Sequence, residues 1–212
     1  MATSGETGPG AIRVAIIESD RRIREGLAML IDSSPGYGCV LSFRSLEEAR
    51  RGTWPEIPDL ALVDIGLPGL SGDGGLGWLR QRYPPVVLLA LTVYEDDERI
   101  FEALCAGASG YLSKKTPPAK LLEALRVGLA GGAPMSPEIA RRVLALLREV
   151  HPAGEDGEPT PPELRLLKLM VEGYSYQDAG SEMGITTGAI NGHMRSLYGK
   201  LQTQAMKRRP GK

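Results

Sequence analysis

The length, composition and charge of this chain exclude several classes of protein. Its 212 residues allow one large domain or two small ones, and 42 % hydrophobic with 24 % charged residues is ordinary for a globular protein. No apolar run approaches the roughly 20 residues of a membrane helix, and two cysteines make no disulfide framework, so we expect a cytoplasmic protein without membrane association.

Charge is unevenly distributed along the chain. Residues 1–158 carry 22 acidic and 17 basic side chains, whereas residues 159–212 carry 8 basic and 4 acidic ones. An acidic body followed by a basic end predicts two modules with different partners.

Apolar runs and helical periodicities alternate along residues 11–130. The predicted strands are 12–17, 36–43, 60–63, 86–91 and 109–113, each a short run typical of a buried strand. The predicted helices are 21–32, 46–51, 76–82, 95–106 and 117–129, where apolar residues recur at helical spacing. Five strands that alternate with five helices predict an α/β fold with a doubly wound parallel sheet, and the family resemblance described below implies a flavodoxin-like sheet.

Polar residues with useful chemistry follow four of these strands. They are Glu18, Asp64, Thr92 and Lys114. A lone Asp at a strand end usually caps a turn, but the carboxyl ends of parallel strands share one crevice, which is where ligands bind. We therefore expect these side chains to converge in one site.

These residues and the sequence motifs around them resemble those of a known family. The motifs are Glu18-Ser19, Arg24-Glu25-Gly26-Leu27, Asp64 with Leu67-Pro68-Gly69, Thr92 to Asp97, and Ala106 to Lys114. Over roughly residues 12–130 the chain resembles the receiver domain of bacterial response regulators, specifically the NarL/FixJ subfamily. The resemblance implies a phosphoprotein that acts in a two-component system with a sensor histidine kinase as its partner.

The resemblance also implies roles for single residues. Asp64 would accept a phosphoryl group, Thr92 would bond a phosphoryl oxygen, and Lys114 would neutralise its charge. Tyr111 would follow Thr92 inward on activation. Position and charge are most of what phosphoryl transfer needs, so this set of side chains suits that chemistry.

The metal site departs from the family pattern. Glu18, Asp64 and the carbonyl of Gly66 match the family's Mg²⁺ ligands, but Ser19 stands where a second acid is usual. Mg²⁺ is held by few carboxylates in near-ideal octahedral geometry, so losing one acid predicts weak Mg²⁺ binding. Asp20 is a candidate substitute, one residue further along.

A glycine-rich stretch imitates a nucleotide-binding motif. Residues 72–77 satisfy G-x-G-x-x-G, but the dinucleotide motif follows its strand directly and opens a helix. This stretch lies beyond the turn at Pro68, so it predicts a loop.

A further helix is predicted after residue 136, with Ser136 and Pro137 at its start. Its apolar stripe contains Ile139, Val143, Leu146, Leu147 and Val150. The stripe could pack on the chain's own domain, or the helix could be a connector or dimer helix, and the sequence favours neither. Residues 151–159 have the Pro, Gly and acidic composition of a flexible linker.

The C-terminal residues predict a helix-turn-helix. Thr160 and Glu163 form a capping box before the first helix, Ser175 to Met183 is a second, and a third starts at Thr186 or Thr187 and ends near Leu201. The span resembles the LuxR-type DNA-binding domain, with matches that include Glu172-Gly173, Ile185, His193 and Tyr198 to Leu201.

That match implies which residues meet DNA. Asn191, Gly192 and Arg195 would face the bases, and Lys200 the phosphates. Gly188, Gly192 and Gly199 each weaken the helix by about 1 kcal/mol relative to Ala. The residues after Leu201 are too few for the family's fourth helix, so we expect a truncated C-terminus.

The predicted organisation is a receiver at 11–130, a connector helix and linker at 131–158, and the LuxR-type domain at 159–212. The sequence thus predicts a response regulator, not an enzyme, that regulates transcription by binding DNA, and a homodimer if it reads a symmetric operator. One alternative is a regulator that works without phosphorylation. Another is a protein-binding receiver with a degenerate DNA-binding domain.

Overall fold

The computed structural model describes residues 10–67, 75–93, 108–150 and 158–208. They contain a five-stranded parallel sheet with the order β2-β1-β3-β4-β5. Its strands are β1 (Ile12–Ile17), β2 (Tyr37–Phe43), β3 (Leu60–Asp64), β4 (Val87–Thr92) and β5 (Gly110–Ser113). The predicted α/β fold with a parallel sheet is confirmed, because each apolar run of the sequence forms a buried strand.

Eight helices complete the described residues. They are α1 (Arg21–Asp32), α2 (Leu46–Arg51), α3 (Leu76–Arg82), α4 (Pro118–Leu129), α5 (Pro137–Val150), α6 (Pro161–Val171), α7 (Tyr176–Met183) and α8 (Thr187–Arg208). The predicted helix 95–106 and the glycine-rich loop before residue 75 lie outside the described residues. None of the helices in the described ranges has the length and apolarity to cross a membrane.

The sheet is covered on both faces. Ala15 and Ile17 of β1 belong to a cluster that includes residues of α2 and α3, whereas Val14 and Ile16 belong to a second cluster with residues of α1 and α4. Successive strand residues point to opposite faces, so this alternation places one helix layer on each side. The first cluster continues into α5, α6 and α8.

A short segment after α4, residues 133–136, pairs with the edge of the sheet, and we call it the β5 strap. The N–H of Tyr111 donates to the Pro134 carbonyl at 2.8 Å, and the N–H of Ser136 donates to the Tyr111 carbonyl at 3.1 Å. The Ser136 hydroxyl accepts from the N–H of Ser113 at 3.1 Å. The strap thus extends β5 with backbone hydrogen bonds.

The apolar stripe of α5 packs inside its own chain. Ile139 and Val143 are fully buried and Leu147 is 6 % exposed, because α5 lies against α6 and against β5. Of the alternatives that the sequence left open, the burial fits a stripe that packs within its own chain, and the connector role stays a prediction. The stripe is therefore not free to pair with a second chain in this arrangement.

The third C-terminal helix is longer than predicted. It continues to Arg208, so the predicted end near Leu201 is wrong. Residues 202–208 contain neither Gly nor Pro, and nothing in them stops a helix. Its glycines are tolerated because Ile190, Met194 and Leu197 are fully buried, and packing of one face outweighs weak propensity.

Candidate phosphoacceptor site and nucleic-acid interface

Polar side chains meet at the carboxyl edge of the sheet. Glu18 follows β1, Asp64 ends β3, Thr92 ends β4 and Lys114 follows β5. Glu18, Asp64 and Thr92 are buried. Lys114 Nζ lies 2.5 Å from Glu18 Oε2 and 2.9 Å from Asp64 Oδ2, so one ammonium group joins the two carboxylates. Thr92 follows Leu91, the residue that pairs with Asp64 across the neighbouring strands.

The carboxylate oxygens at this edge all have protein partners. Glu18 Oε1 accepts from the N–H of Asp20 at 2.9 Å, and Asp64 Oδ1 accepts from the N–H of Gly66 at 2.8 Å. The remaining oxygen of each carboxylate contacts Lys114. The site is therefore fixed in position before any ligand enters it.

The charge at this edge is unbalanced. Two carboxylates share one ammonium, and burial raises the pKa of Glu18, with the charge of Asp64 adding to the rise while contact with Lys114 opposes it. Burial disfavours the charged form of a carboxyl group, and a nearby like charge does the same. A cation or a protonated Glu18 would relieve this imbalance.

Asp20, the candidate substitute for the missing acid, has a different role. One of its carboxylate oxygens accepts from the N–H groups of Arg22 and Ile23 at 2.8 and 3.1 Å. These bonds cap the first turn of α1 and lower the pKa of Asp20. The structure therefore uses this carboxylate oxygen of Asp20 at a helix end, while the backbone N–H of Asp20 bonds the neighbouring Glu18.

The donor set for Mg²⁺ is correspondingly small. Within the described ranges, no group of three or more His, Cys, Asp or Glu side chains lies close enough together to hold a metal ion. Glu18, Asp64 and the Gly66 carbonyl remain, and Lys114 already contacts both carboxylates. Mg²⁺ needs only one or two carboxylates and keeps several waters. These residues therefore fit the ion if a carboxylate oxygen that now contacts Lys114 turns to the ion.

Tyr111, the predicted switch residue, is fully buried in β5. Its backbone holds the strap, and its hydroxyl is close to Tyr198 of α8. Burial raises the pKa of Tyr198, the charge of Tyr111 adds to the rise, and a backbone hydrogen bond from Tyr111 opposes it. The Tyr198 hydroxyl donates to the Pro134 carbonyl at 3.2 Å, and the Tyr176 hydroxyl donates to the Ala133 carbonyl at 2.6 Å. The strap thus lies between Tyr111 and the C-terminal helices.

Two of the three residues expected to read bases, Asn191 and Arg195, lie near the turn after α4. A Cβ added to Gly132 would lie 2.6 Å from Asn191 Oδ1, and one on Gly131 would lie 3.4 Å from Arg195 Nη1. At Gly132 only glycine allows this close approach between α8 and the turn after α4. Gly192, between them, has no such neighbour. The side-chain oxygen of Asn191 is therefore buried in this arrangement, whereas Arg195 beside it stays exposed.

Lys200, expected to contact phosphate, has an internal partner. Its Nζ lies 2.7 Å from Glu163 Oε2, and the side chain of Glu163 is 2 % exposed. The same carboxylate oxygen accepts from the N–H of Thr160 at 2.6 Å. Lys200 therefore ties α8 to the start of α6 and lies apart from Asn191 and Arg195.

Sequence reasoning missed the strap and the tyrosines that hold it. Four residues carry no periodicity, so no pattern predicts that residues 133–136 pair with β5. The one available signal is Tyr176 and Tyr198, two aromatic residues with a polar end, which need a hydrogen-bond partner when buried.

Comparison with known proteins covers both parts of the chain. The family described as response regulator receiver domain matches residues 14–126. The nitrate/nitrite response regulator protein NarP of Escherichia coli (strain K12) is 30 % identical over 205 residues, which are 91 % of this chain and 90 % of NarP. The crystal structure of the response regulator ChrA of a heme-sensing two-component system is 25 % identical, with a TM-score of 0.54 over 93 % of this chain and 96 % of ChrA. A two-component response regulator of the LuxR family from Aurantimonas sp. SI85-9A1 is 33 % identical, with a TM-score of 0.59 over 66 % of this chain and 99 % of that one.

Proposed function

Because this chain belongs to the response regulators, we propose that phosphorylation of Asp64 in its receiver domain controls DNA binding by its C-terminal helices. Response regulators act with sensor kinases and bind DNA, and the relatives of this chain are regulators of transcription. The observation that carries the proposal is the buried contact of Glu18, Lys114 and Asp64 at the carboxyl edge of the sheet. We assign the receiver to residues 11–130, the connector to 131–158 and the DNA-binding domain to 159–212.

The chemistry follows from the position of Asp64. One of its oxygens attacks the phosphorus of a donor, such as the phosphohistidine of a sensor kinase, and the bond from phosphorus to the donor breaks. The new group brings roughly two negative charges next to Lys114, 2.9 Å from Asp64 Oδ2. Thr92, at the neighbouring strand end, would donate its hydroxyl to a phosphoryl oxygen. Position and charge are most of what this reaction needs.

Mg²⁺ neutralises charge on transferring phosphoryl oxygens when it is bound, and receiver domains generally bind it. We propose that Glu18, Asp64 and the Gly66 carbonyl hold it weakly in this chain. Two observations support weak binding. Ser19 is neutral where an acid is usual, and the carboxylate of Asp20 is engaged in capping α1.

Ser19→Asp should tighten Mg²⁺ binding on the order of tenfold, about 1.4 kcal/mol, because it adds a carboxylate to a site with too few. The rate at which acetyl phosphate labels the protein should rise with it. Calorimetric Mg²⁺ titration and intact-mass spectrometry measure the two effects, with Asp64→Asn as the variant that takes no label. Ser181→Asp places the same charge on exposed α7 and should change neither. Wild-type protein that binds Mg²⁺ as tightly as Ser19→Asp contradicts the proposal.

The role of Asp20 also supports a second candidate function, a regulator that works without phosphorylation. With Asp20 engaged as a cap, the site holds two carboxylates where the family usually has three acids. If acetyl phosphate leaves Asp64 unlabelled in wild type while the chain still shifts genomic DNA fragments in a gel, this second candidate is correct. If no fragment shifts in any state, a protein-binding receiver with a degenerate DNA-binding domain takes its place.

The strap offers a route from Asp64 to DNA. A phosphoryl group that draws Thr92 and Tyr111 toward it would pull on the backbone bonds between Tyr111 and the strap. The strap in turn holds Tyr176 and Tyr198. Its release would uncover Asn191 of α8, next to Arg195, which is already exposed.

Removing the two tyrosine hydroxyls that donate to the strap should mimic part of this release. In the double variant Tyr176→Phe with Tyr198→Phe, each change removes a hydrogen bond worth about 0.5–1.5 kcal/mol. The unphosphorylated variant should therefore bind genomic DNA fragments several-fold more tightly than wild type in a gel-shift titration. Tyr37→Phe is the matched control, because it removes a tyrosine bond to the Leu122 carbonyl away from the strap. Equal DNA affinity of the double variant and the control counts against this route.

We propose a cytoplasmic protein whose phosphoryl donor is a sensor histidine kinase, with DNA as the other partner and no membrane contact. Two copies would be needed to read a symmetric operator, so we also propose a homodimer on DNA. Because the α5 stripe is buried against α6, that dimer would use another surface or an opened chain. We propose no enzymatic activity beyond the transfer to Asp64.

A further inference from the structure

The loop between β1 and α1 consists of three residues, Glu18, Ser19 and Asp20, and its backbone is held by Arg24 of α1. Arg24 Nη1 donates to the Glu18 carbonyl at 2.7 Å and to the Ser19 carbonyl at 3.2 Å. The side chain is half-buried, and hydrogen bonds from a charged donor are roughly twice as strong as neutral ones. The guanidinium group therefore fixes the two peptide groups that leave the strand.

The peptide group between Ser19 and Asp20 carries this contact to the edge of the sheet. A trans peptide is planar, so its carbonyl and its N–H point in opposite directions. The Ser19 carbonyl accepts from Arg24, and the Asp20 N–H on the other side of the same peptide donates to Glu18 Oε1 at 2.9 Å. Arg24 thus sets the direction from which the Glu18 carboxylate receives its hydrogen bond.

The carboxylate of Glu18 is the group whose position matters. Glu18 is 1 % exposed, and its second oxygen lies 2.5 Å from Lys114 Nζ, which also contacts Asp64. The same carboxylate is one of the two proposed for Mg²⁺, an ion that demands near-ideal octahedral geometry. A group that orients a metal ligand changes the affinity for the ion without touching it.

We infer that Arg24 is a positioning residue, which presents the Glu18 carboxylate to Mg²⁺ and to Lys114 by holding the carbonyls of Glu18 and Ser19. The inference rests on the proposed Mg²⁺ site, but it does not depend on phosphorylation of Asp64. Arg24 acts on the ion through Glu18, and its own charge opposes the binding of a cation.

The sign of one substitution separates position from charge. If Arg24 acted through its charge alone, Arg24→Met would tighten Mg²⁺ binding, because like charges repel. Loss of a positioning group should instead raise the Kd for Mg²⁺ about tenfold in a calorimetric titration. Arg24→Lys keeps a donor on a flexible stem, so it should recover part of the affinity. Arg22→Met removes the same charge from an exposed position in the same helix turn and should not weaken binding.

Labelling by acetyl phosphate gives a second readout that a general loss of structure would not reproduce. The Mg²⁺ concentration that gives half the maximal labelling rate should rise in Arg24→Met. The rate at saturating Mg²⁺ should stay near that of wild type, because Arg24 is assigned to the ion's ligand and not to the phosphoryl group. A partly unfolded variant would lose the maximal rate as well.

A double-mutant cycle with Lys114 tests the same role without metal. In metal-free buffer, Lys114→Met leaves Glu18 facing Asp64 with no ammonium between them. Holding Glu18 there is then unfavourable, so losing Arg24 should cost less stability than it does in wild type. In urea unfolding, the double variant should have an unfolding equilibrium constant at least about threefold smaller than the two single effects multiplied together, because residues that share a partner couple.

Two results overturn the inference. One is Mg²⁺ binding in Arg24→Met that is unchanged or tighter than in wild type, and the other is an additive cycle between Arg24 and Lys114. Failure of the proposed function looks different. A wild type that binds Mg²⁺ but takes no label contradicts phosphorylation and leaves the titration valid. A wild type that binds no Mg²⁺ contradicts the metal site, and the metal-free cycle then decides the role of Arg24.

Discussion

Lys200→Met should destabilise the C-terminal helices by about 3 kcal/mol at pH 7, because removing one partner of a buried ion pair strands the other charge. The carboxylate left behind is Glu163, whose side chain is 2 % exposed, and Lys200 itself is 24 % exposed. This exposure places the loss at the lower end of the range for buried pairs. Urea unfolding measures the loss in the free energy of unfolding. The matched control is Lys168→Met, because Lys168 is an exposed lysine of α6.

The pH dependence of this effect has a definite sign. Burial tends to raise the pKa of Glu163, but hydrogen bonds from Lys200, Ser196 and Thr160 outweigh it, and the net pKa is lowered. A lowered carboxyl pKa stabilises the fold above the ordinary value near 4.5 and loses that effect as the pH falls through the folded value. The difference in the free energy of unfolding between wild type and Lys200→Met should therefore become smaller in acid.

Arg195→Ala separates stability from DNA recognition. Arg195 is exposed beside Gly131, so its loss should leave stability within about 0.5 kcal/mol while DNA binding weakens. Lys200→Met should instead lower the stability of the fold while DNA binding is kept. If Lys200→Met is as stable as Lys168→Met and instead loses DNA affinity, Lys200 contacts phosphate as the sequence predicted.

Lys114→Met should both abolish labelling of Asp64 and destabilise the receiver by roughly 3 kcal/mol at pH 7. It leaves Glu18 and Asp64 as neighbouring buried carboxylates with no ammonium between them. Lys115→Met is the matched control, since Lys115 is the exposed neighbour. Mass spectrometry after acetyl phosphate and urea unfolding give the two readouts.

The acid dependence of Lys114→Met should run opposite to that of an ordinary salt bridge. Burial already raises the pKa of Glu18 in wild type, and loss of Lys114 would raise it further. A raised carboxyl pKa stabilises the fold below the ordinary value near 4.5, and this stabilisation is lost as the pH rises through the folded value. The variant should therefore regain stability as the pH falls from 7 toward 5, and a pH-independent loss contradicts this account.

The sheet was predictable because its signal is local. Each strand is a short apolar run such as 60–63, and topology alone brings the residues that follow such runs to one edge. Asp64, Glu18 and Lys114 could therefore be placed together from the sequence, although their roles in phosphorylation remain predictions.

The remaining features depend on contacts between distant residues. Lys200 and Glu163 are 37 positions apart, and each has an ordinary local explanation, one as a phosphate contact and the other as half of a capping box. From the sequence, the carboxylate of Asp20 could bind a metal or cap a helix. In the structure it caps the helix, because it accepts hydrogen bonds from two backbone N–H groups. Such competition between partners is not visible in a sequence.

The β5 strap also bears on solubility. Strand β5 is the last in the order of the sheet, and an uncovered edge strand offers free N–H and C=O groups to strands of other molecules. The strap occupies both groups of Tyr111. A molecule that opens to read DNA would expose this edge, so the opened form should aggregate more readily than the closed one unless DNA or a second copy shields β5.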